Sequence, residues 1–172
     1  LSSLKVLWHL ASPCPEWLKE RFIDWLGPET VWELYGGTEG QGGTMISGHE
    51  WLSHRGSVGK SRHDCEIKIV NAEGESVEPN TLGEVYMRPL SGPGSTYRYI
   101  GAEPRAIEDG FDSIGDLGYL DPEGYLYLAD RRTDMILCGG ANVYPAEVEG
   151  AIDSFQGIRS SAVIGLPHDD LG

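Results

Sequence analysis

Val31-Trp32-Glu33-Leu34-Tyr35-Gly36-Gly37-Thr38-Glu39 is a short apolar run that breaks into two glycines, a hydroxyl and a carboxylate. The apolar part reads as a buried strand and the glycines as the loop that leaves it. Upstream, Val6-Leu7-Trp8-His9-Leu10-Ala11 has the same character and reads as a second strand. Between them Pro15 and Glu16 suit the first turn of a helix. Leu18, Phe22, Trp25 and Leu26 recur at helical spacing, which predicts that they face a core, and Gly27-Pro28 stops the helix. Strand, helix and strand in about thirty residues make a βαβ unit. The two strands are therefore predicted to be parallel. The loops Ser12-Pro13-Cys14 and Gly36-Gly37-Thr38-Glu39 then share one edge of the sheet. Open α/β sheets bind ligands at that edge.

From about Gly56 the period changes. Cys65, Ile67 and Ile69 alternate with Glu66, Lys68 and Val70, a strand pattern followed by a turn at Asn71-Ala72-Glu73-Gly74. Gly83-Glu84-Val85-Tyr86-Met87-Arg88 reads as a further strand. Leu117 to Leu120 and Tyr125 to Ala129 flank Asp121-Pro122-Glu123-Gly124, which carries Pro and Gly where a type I turn prefers them. A small antiparallel barrel is the expected form of this middle region. After Asp130, Pro145 starts a helix with Val148, Ala151, Ile152 and Phe155 on one face and Gly157 at its end; Ser161 to Leu166 then reads as a strand.

The chain has 172 residues and a net charge of -14, from 27 acidic and 13 basic residues. Such a surface repels nucleic acids and anionic membranes, so neither is an expected partner. Cys14, Cys65 and Cys138 are dispersed and without CxxC spacing, which suggests neither a disulfide framework nor a zinc site and fits a reducing, cytoplasmic setting. No apolar stretch approaches transmembrane length. His9, His49, His54, His63 and His168 show no metal-ligand spacing. Gly56-Ser57-Val58-Gly59-Lys60-Ser61 echoes a phosphate-binding loop, but His54 stands where its first glycine is needed.

The loop after Tyr35 has two physical readings. A ring at the sheet edge, a glycine pair that lets backbone approach a ligand, a hydroxyl and a carboxylate together suit a nucleotide with its magnesium ion. A glycine turn capped by Thr38 has the same composition. Asp116 stands just before a strand in Ser113-Ile114-Gly115-Asp116; its two oxygens can accept from both hydroxyls of a ribose, or it can be a turn aspartate.

Asp130-Arg131-Arg132-Thr133-Asp134-Met135-Ile136-Leu137-Cys138-Gly139-Gly140-Ala141-Asn142-Val143-Tyr144-Pro145-Ala146-Glu147-Val148-Glu149 resembles the hinge-and-loop signature of AMP-forming acyl-CoA synthetases, members of the adenylate-forming superfamily. Tyr35-Gly36-Gly37-Thr38-Glu39 resembles the ATP-contacting motif of the same enzymes, and Ser113-Ile114-Gly115-Asp116 falls between the two at a family-like distance. The resemblance covers essentially the whole chain. It implies that Tyr35 packs on adenine beside the glycines Gly36 and Gly37, and that Thr38 contacts the α-phosphate. Glu39 would bind Mg²⁺, and Asp116 and Arg131 would reach the ribose. Gly139 and Gly140 would lie on the loop that lines the coenzyme A channel, Gly40-Gln41-Gly42-Gly43 on the acyl tunnel, Ser12-Pro13-Cys14 in place of the adenine loop, and Thr133 at the hinge. Ile114 replaces the family's usual threonine.

The fold so implied is mixed α/β and β. Residues 1–131 would be the C-terminal part of a large AMP-binding domain, with 1–55 α/β and 56–131 a distorted antiparallel barrel. Residues 132–172 would be the truncated start of a small α+β C-terminal domain. The activity implied is ligation of a carboxylic acid, fatty or otherwise bulky and apolar, to coenzyme A at the expense of ATP. The family's phosphate-cradling loop does not precede Tyr35, and its late lysine does not follow Glu149. The resemblance therefore implies a fragment, inactive by itself. Two alternatives stay open: an adenylation domain that loads a carrier-protein thiol, whose hinge run is usually more basic, and a non-catalytic nucleotide-binding remnant.

Overall fold

A computed structural model describes residues 3–131, 134–139 and 141–168, with the side chains of Asp130 and Arg131 left out. The strands are β1 (Leu7–Leu10), β2 (Val31–Gly36), β3 (Gly43–Ser47), β4 (Ser57–Ser61), β5 (Cys65–Val70), β6 (Gly83–Pro89), β7 (Arg105–Ala106), β8 (Asp112–Ser113), β9 (Asp116–Leu120), β10 (Tyr125–Arg131), β11 (Ile136–Cys138) and β12 (Ala141–Val143). Among the described residues three α-helices accompany them: α1 (Glu16–Leu26), α2 (Gly48–Ser53) and α3 (Pro145–Asp153).

The βαβ prediction holds. β1 and β2 are parallel, in register from Leu7 opposite Val31 to Leu10 opposite Leu34. β2 then turns through the Gly36–Gly42 loop into β3, and the sheet runs on antiparallel in the order β1-β2-β3-β4-β10-β9-β6-β8-β7, with β5 also paired to β6. The α/β part and the antiparallel part are thus one sheet. Its ladders among the described residues form an open path, and the expected barrel is not closed by pairing.

Three apolar clusters hold it. Ile23, Val31, Ile46, Trp51 and Tyr125 pack between the helices and the first strands. Ile69, Val85, Met87 and Leu126 pack beneath β2, with Tyr35 against them. Val70, Tyr86 and Phe111 form the third. Each buried large apolar side chain contributes roughly 1.5–3 kcal/mol.

Three expectations are corrected. Trp25 is 65% exposed, and the buried positions of α1 are Lys19 and Ile23, because the Lys19 ammonium pairs with Glu33 on β2. α3 ends at Asp153, before Gly157, and leaves Phe155 67% exposed. Ser161 to Leu166 forms no strand: the Val163 backbone N–H, a group that a ladder would take, donates to Glu149 Oε1 at 2.8 Å, and Ser161 Oγ donates to Asp153 Oδ1 at 2.7 Å. The run Gly56 to Ser61 is mostly the strand β4, and no helix follows it as a phosphate-binding loop requires.

Candidate active site

The end of β2 carries the site. Tyr35 is half-buried on the cluster under the sheet, and its hydroxyl donates to Asp116 Oδ2 at 2.7 Å. Asp116 is the first residue of β9 and is buried. Two residues far apart in sequence, each assigned to the nucleoside by resemblance, are therefore in direct contact. β9 pairs with β10 so that the backbone of Arg131 stands opposite Asp116.

Gly36 is hemmed in by backbone, and Gly37 by side chains. A Cβ at Gly36 would stand 2.9 Å from the Gly42 carbonyl oxygen, and one at Gly37 would stand 2.7 Å from Glu39 Oε2 and 3.1 Å from Ile114 Cδ1. The Ile114 side chain thus lies against the Gly37 backbone and joins the second motif to the third. Thr38 is exposed and Glu39 half-buried. Gln41 is only 1% exposed, and neither polar atom of its amide has a hydrogen-bond partner. It borders a cavity of about 160 Å³ with Gly40, Gly42, Cys65, Leu90 and Thr96.

Two features of the surroundings escaped the sequence reading. The first is an ion pair under the sheet edge. Lys19 Nζ pairs with Glu33 Oε2, lies 5.1 Å from the Trp51 ring centroid, and is 4% exposed. Glu33 Oε1 accepts from His9 Nδ1 at 3.3 Å. Burial pushes the Lys19 ammonium down to about 8, and burial with the Lys19 charge beside it pushes His9 down. The direct contact with Glu33 favours the charged ammonium at neutral pH. The second is Tyr97 and Tyr99, whose hydroxyls donate to Asp112 Oδ2 at 2.9 Å and Glu39 Oε1 at 2.8 Å. Burial raises the Asp112 carboxyl, while the Tyr97 hydrogen bond opposes this and the Glu39 charge adds to it. The Tyr-x-Tyr spacing was the available signal, since alternate residues of an extended segment face one side.

Gly139 lies in the turn of the β11–β12 hairpin with φ 58°, a conformation that favours glycine. Ala141 and Asn142 belong to β12. Thr133 and Gly140, and the side chain of Arg131, lie outside the described residues. Among the described residues no three His, Cys, Asp or Glu side chains group to hold a metal ion, and no helix is long and apolar enough to cross a membrane.

Known proteins are similar in sequence and fold. The model of the AMP-binding enzyme family matches residues 1–99. Curated 2-succinylbenzoate–CoA ligases of Bacillus cereus (strain AH820) and Bacillus thuringiensis subsp. konkukian (strain 97-27) are each 34% identical over 172 residues, covering 99% of this chain and 35% of theirs. This chain therefore spans about a third of the length of those relatives. The o-succinylbenzoate CoA synthetase of Bacillus subtilis in complex with its acyl-adenylate intermediate superposes with TM-score 0.83 at 33% identity, covering 98% of this chain and 34% of that one. The same enzyme with ATP and magnesium ion gives TM-score 0.80 at 31% identity, over 99% of this chain and 37% of that one. With the family model matching more than half its residues, and relatives 34% identical along 99% of its length, the chain belongs to the AMP-binding enzyme family of adenylate-forming proteins.

Proposed function

We propose that this chain carries the nucleotide-binding edge of an AMP-forming acid–CoA ligase. The observation that carries the reading is the Tyr35–Asp116 contact at 2.7 Å, next to the Gly36–Gly42 loop with Thr38 and Glu39. In this reading the carboxylate of the acid attacks the α-phosphate of ATP and pyrophosphate leaves. The coenzyme A thiol then attacks the acyl-adenylate carbonyl, releasing AMP and forming the thioester. Tyr35 holds the adenine and Asp116 the ribose, which fixes the α-phosphate next to Thr38. The hydroxyl of Thr38 is positioned to donate to the charge that grows on the phosphate oxygens.

A single half-buried carboxylate suits Mg²⁺, which uses one or two carboxylates and takes its other ligands from substrate phosphates and water. Glu39 would hold that ion, which supplies charge neutralisation at the transferring phosphate. Arg131, Gly139 and Gly140 keep their proposed parts in ribose and coenzyme A binding. Residues 1–131 and 132–172 are proposed to belong to the large and small domains of such an enzyme, with Thr133 at the hinge.

The proposed substrate is a bulky carboxylic acid. The relatives' 2-succinylbenzoate is the first to assay and a long-chain fatty acid the second. A cytoplasmic location accompanies this reading. The test uses an enzyme of the relatives' length that carries this chain. Acid-dependent ATP–pyrophosphate exchange and thioester formation are expected, and Glu39→Gln is expected to slow the exchange by about 10²-fold or more. Exchange unaffected by Glu39→Gln would remove Glu39 from the chemistry. Absence of exchange with every acid would remove the ligase reading.

A further inference from the structure

The segment 91–104 lies between β6 and β7 and meets the Gly36–Gly42 loop, where Ser91 and Thr96 border one cavity with Gly40, Gln41 and Gly42. It carries Tyr97 and Tyr99, whose rings meet edge to face with centroids 4.9 Å apart. Their hydroxyls part company: Tyr97 donates to Asp112 on β8, and Tyr99 donates to Glu39 across sixty residues of sequence. The two tyrosines and Asp112 line a cleft of about 610 Å³ that also takes in Pro93, Gly94 and Arg98.

We propose that Tyr99 is a positioning residue for Glu39, fixing the carboxylate in the orientation that receives the divalent cation of the bound nucleotide. This rests on the reading of Glu39 given above. Glu39 stands inside a turn closed by the Gly40 N–H donating to the Gly37 carbonyl at 3.1 Å, so its backbone is placed while its side-chain torsions are left for a partner to set. A carboxylate offers about four lone-pair directions. Tyr99 occupies one of them, on Oε1, at 2.8 Å. Oε2 is turned towards the Gly37 backbone, 2.7 Å from where a Cβ would stand. With one oxygen anchored and the other against the main chain, the carboxylate plane is set and the remaining lone pairs stay open. Partners of this kind orient metal ligands, and their loss typically weakens metal affinity by about 10–100-fold.

A rival role for Tyr99 is simply to pin the 91–104 segment. Tyr97 serves as the internal control, because it pins the same segment with the same kind of bond, but its hydroxyl bonds to Asp112 and not to Glu39.

The experiment measures Mn²⁺ retained by the ATP complex, from the paramagnetic resonance signal of free Mn²⁺, in an enzyme of the relatives' length that carries this chain. Affinity for AMP and the melting temperature are measured alongside, since neither requires the cation. Tyr99→Phe is expected to weaken Mn²⁺ retention about 10-fold or more while leaving AMP affinity and melting temperature unchanged. Tyr97→Phe is expected to leave Mn²⁺ retention alone. Equal weakening by both variants would assign Tyr99 to pinning the segment and overturn the proposal. So would normal retention in Tyr99→Phe when Glu39→Gln loses the ion. Retention unchanged in Glu39→Gln would instead show that the cation is held elsewhere, and both the proposal and the reading of Glu39 would fall.

Discussion

Two helices of this chain carry apolar residues at helical spacing, and they meet different fates. α1 crosses between parallel strands, buries Ile23, and sets Phe22 and Leu26 against Val31, Ile46 and Trp51. α3 follows a two-stranded hairpin, and its only buried residue is Pro145. Val148 and Phe155 remain exposed. The spacing is similar, but the ground beneath differs. A βαβ crossover always delivers its helix onto a sheet, whereas a helix after a short hairpin has only what the rest of the chain brings to it. Apolar periodicity therefore locates a face and leaves open what covers it. The same comparison shows where polar residues decide the outcome. α1 seats a lysine inside, over Glu33, and the apolar stripe turns to accommodate it.

That ion pair supplies the largest expected effect and the sharpest way to break the comparison. Lys19→Met keeps the stem and removes the charge, leaving Glu33 with His9 as its remaining partner at 3.3 Å. Breaking a buried pair from one side typically costs about 3–5 kcal/mol. Urea unfolding of the 172-residue chain should show a loss of that size. The double variant Lys19→Met/Glu33→Gln should recover much of it, since no uncompensated charge is then left inside. A loss below about 1 kcal/mol in the single variant would mean that burial of Ile23 and Phe22, not the pair, seats α1.

How far the site was legible follows from the same physics. The strands β1 and β2, their parallel pairing and the glycine loop between β2 and β3 could be read because local composition determines them. Asp116 could be linked to the nucleoside beside Tyr35 only through the resemblance, as β3, β4 and β10 stand between their strands in the sheet order. Lys19 is invisible to helical spacing, which counts apolar residues; a buried lysine declares itself only through a partner on another element. The same holds for Tyr99, whose partner Glu39 lies in a different loop. The strand expected over 161–166 has β propensity in full but no ladder to join among the described residues. Its polar atoms bond to Glu149 and Asp153 on α3 instead.

α2 offers an intermediate effect that separates capping from burial. Neither α1 nor α3 has a side-chain cap, whereas Ser47 and Glu50 form a reciprocal capping box at α2. The Ser47 backbone N–H donates to Glu50 Oε2 at 3.0 Å, and Glu50 N donates to Ser47 Oγ at 3.3 Å. The backbone N–H and hydroxyl of Ser47 hold the Glu50 carboxyl below its usual range, with smaller help from Lys60 and Tyr125. Ser47→Ala should cost about 1 kcal/mol at neutral pH. A carboxyl lowered in the folded state gives the unfolded chain more bound protons at intermediate acidity, so its contribution is full above the ordinary carboxylate range. It disappears as pH falls through the folded value. The gap between native and Ser47→Ala chains should therefore narrow on acidification by the share that the Ser47 hydroxyl supplies to the Glu50 carboxylate, and the Glu50 N–H to Ser47 Oγ bond should keep the rest. A gap that stays constant to low pH would show that Glu50 takes no part in the cap.

The smallest effect is expected at α3, and it is the more telling for being small. Phe155 is 67% exposed and follows the helix's last turn, so Phe155→Ser removes little buried surface. Surface substitutions away from caps, buried charges and core contacts usually fall within about 0.5 kcal/mol. A change of that size, set against several kcal/mol at Lys19, is what the contrast between the two helices requires. Exposure alone could mislead, because α3 packs against β10 and Ser161 and Val163 tie the following segment to it. Phe155 could matter through that segment if its ring shaped the path of the chain. Amide exchange distinguishes the cases. With a neutral Phe155, protection at Val163 should be the same in the variant, since its N–H is held by Glu149 Oε1 at 2.8 Å and not by the ring. Loss of that protection together with more than about 1 kcal/mol of stability would place Phe155 in the packing of the C-terminal region. The contrast between the helices would then be one of degree.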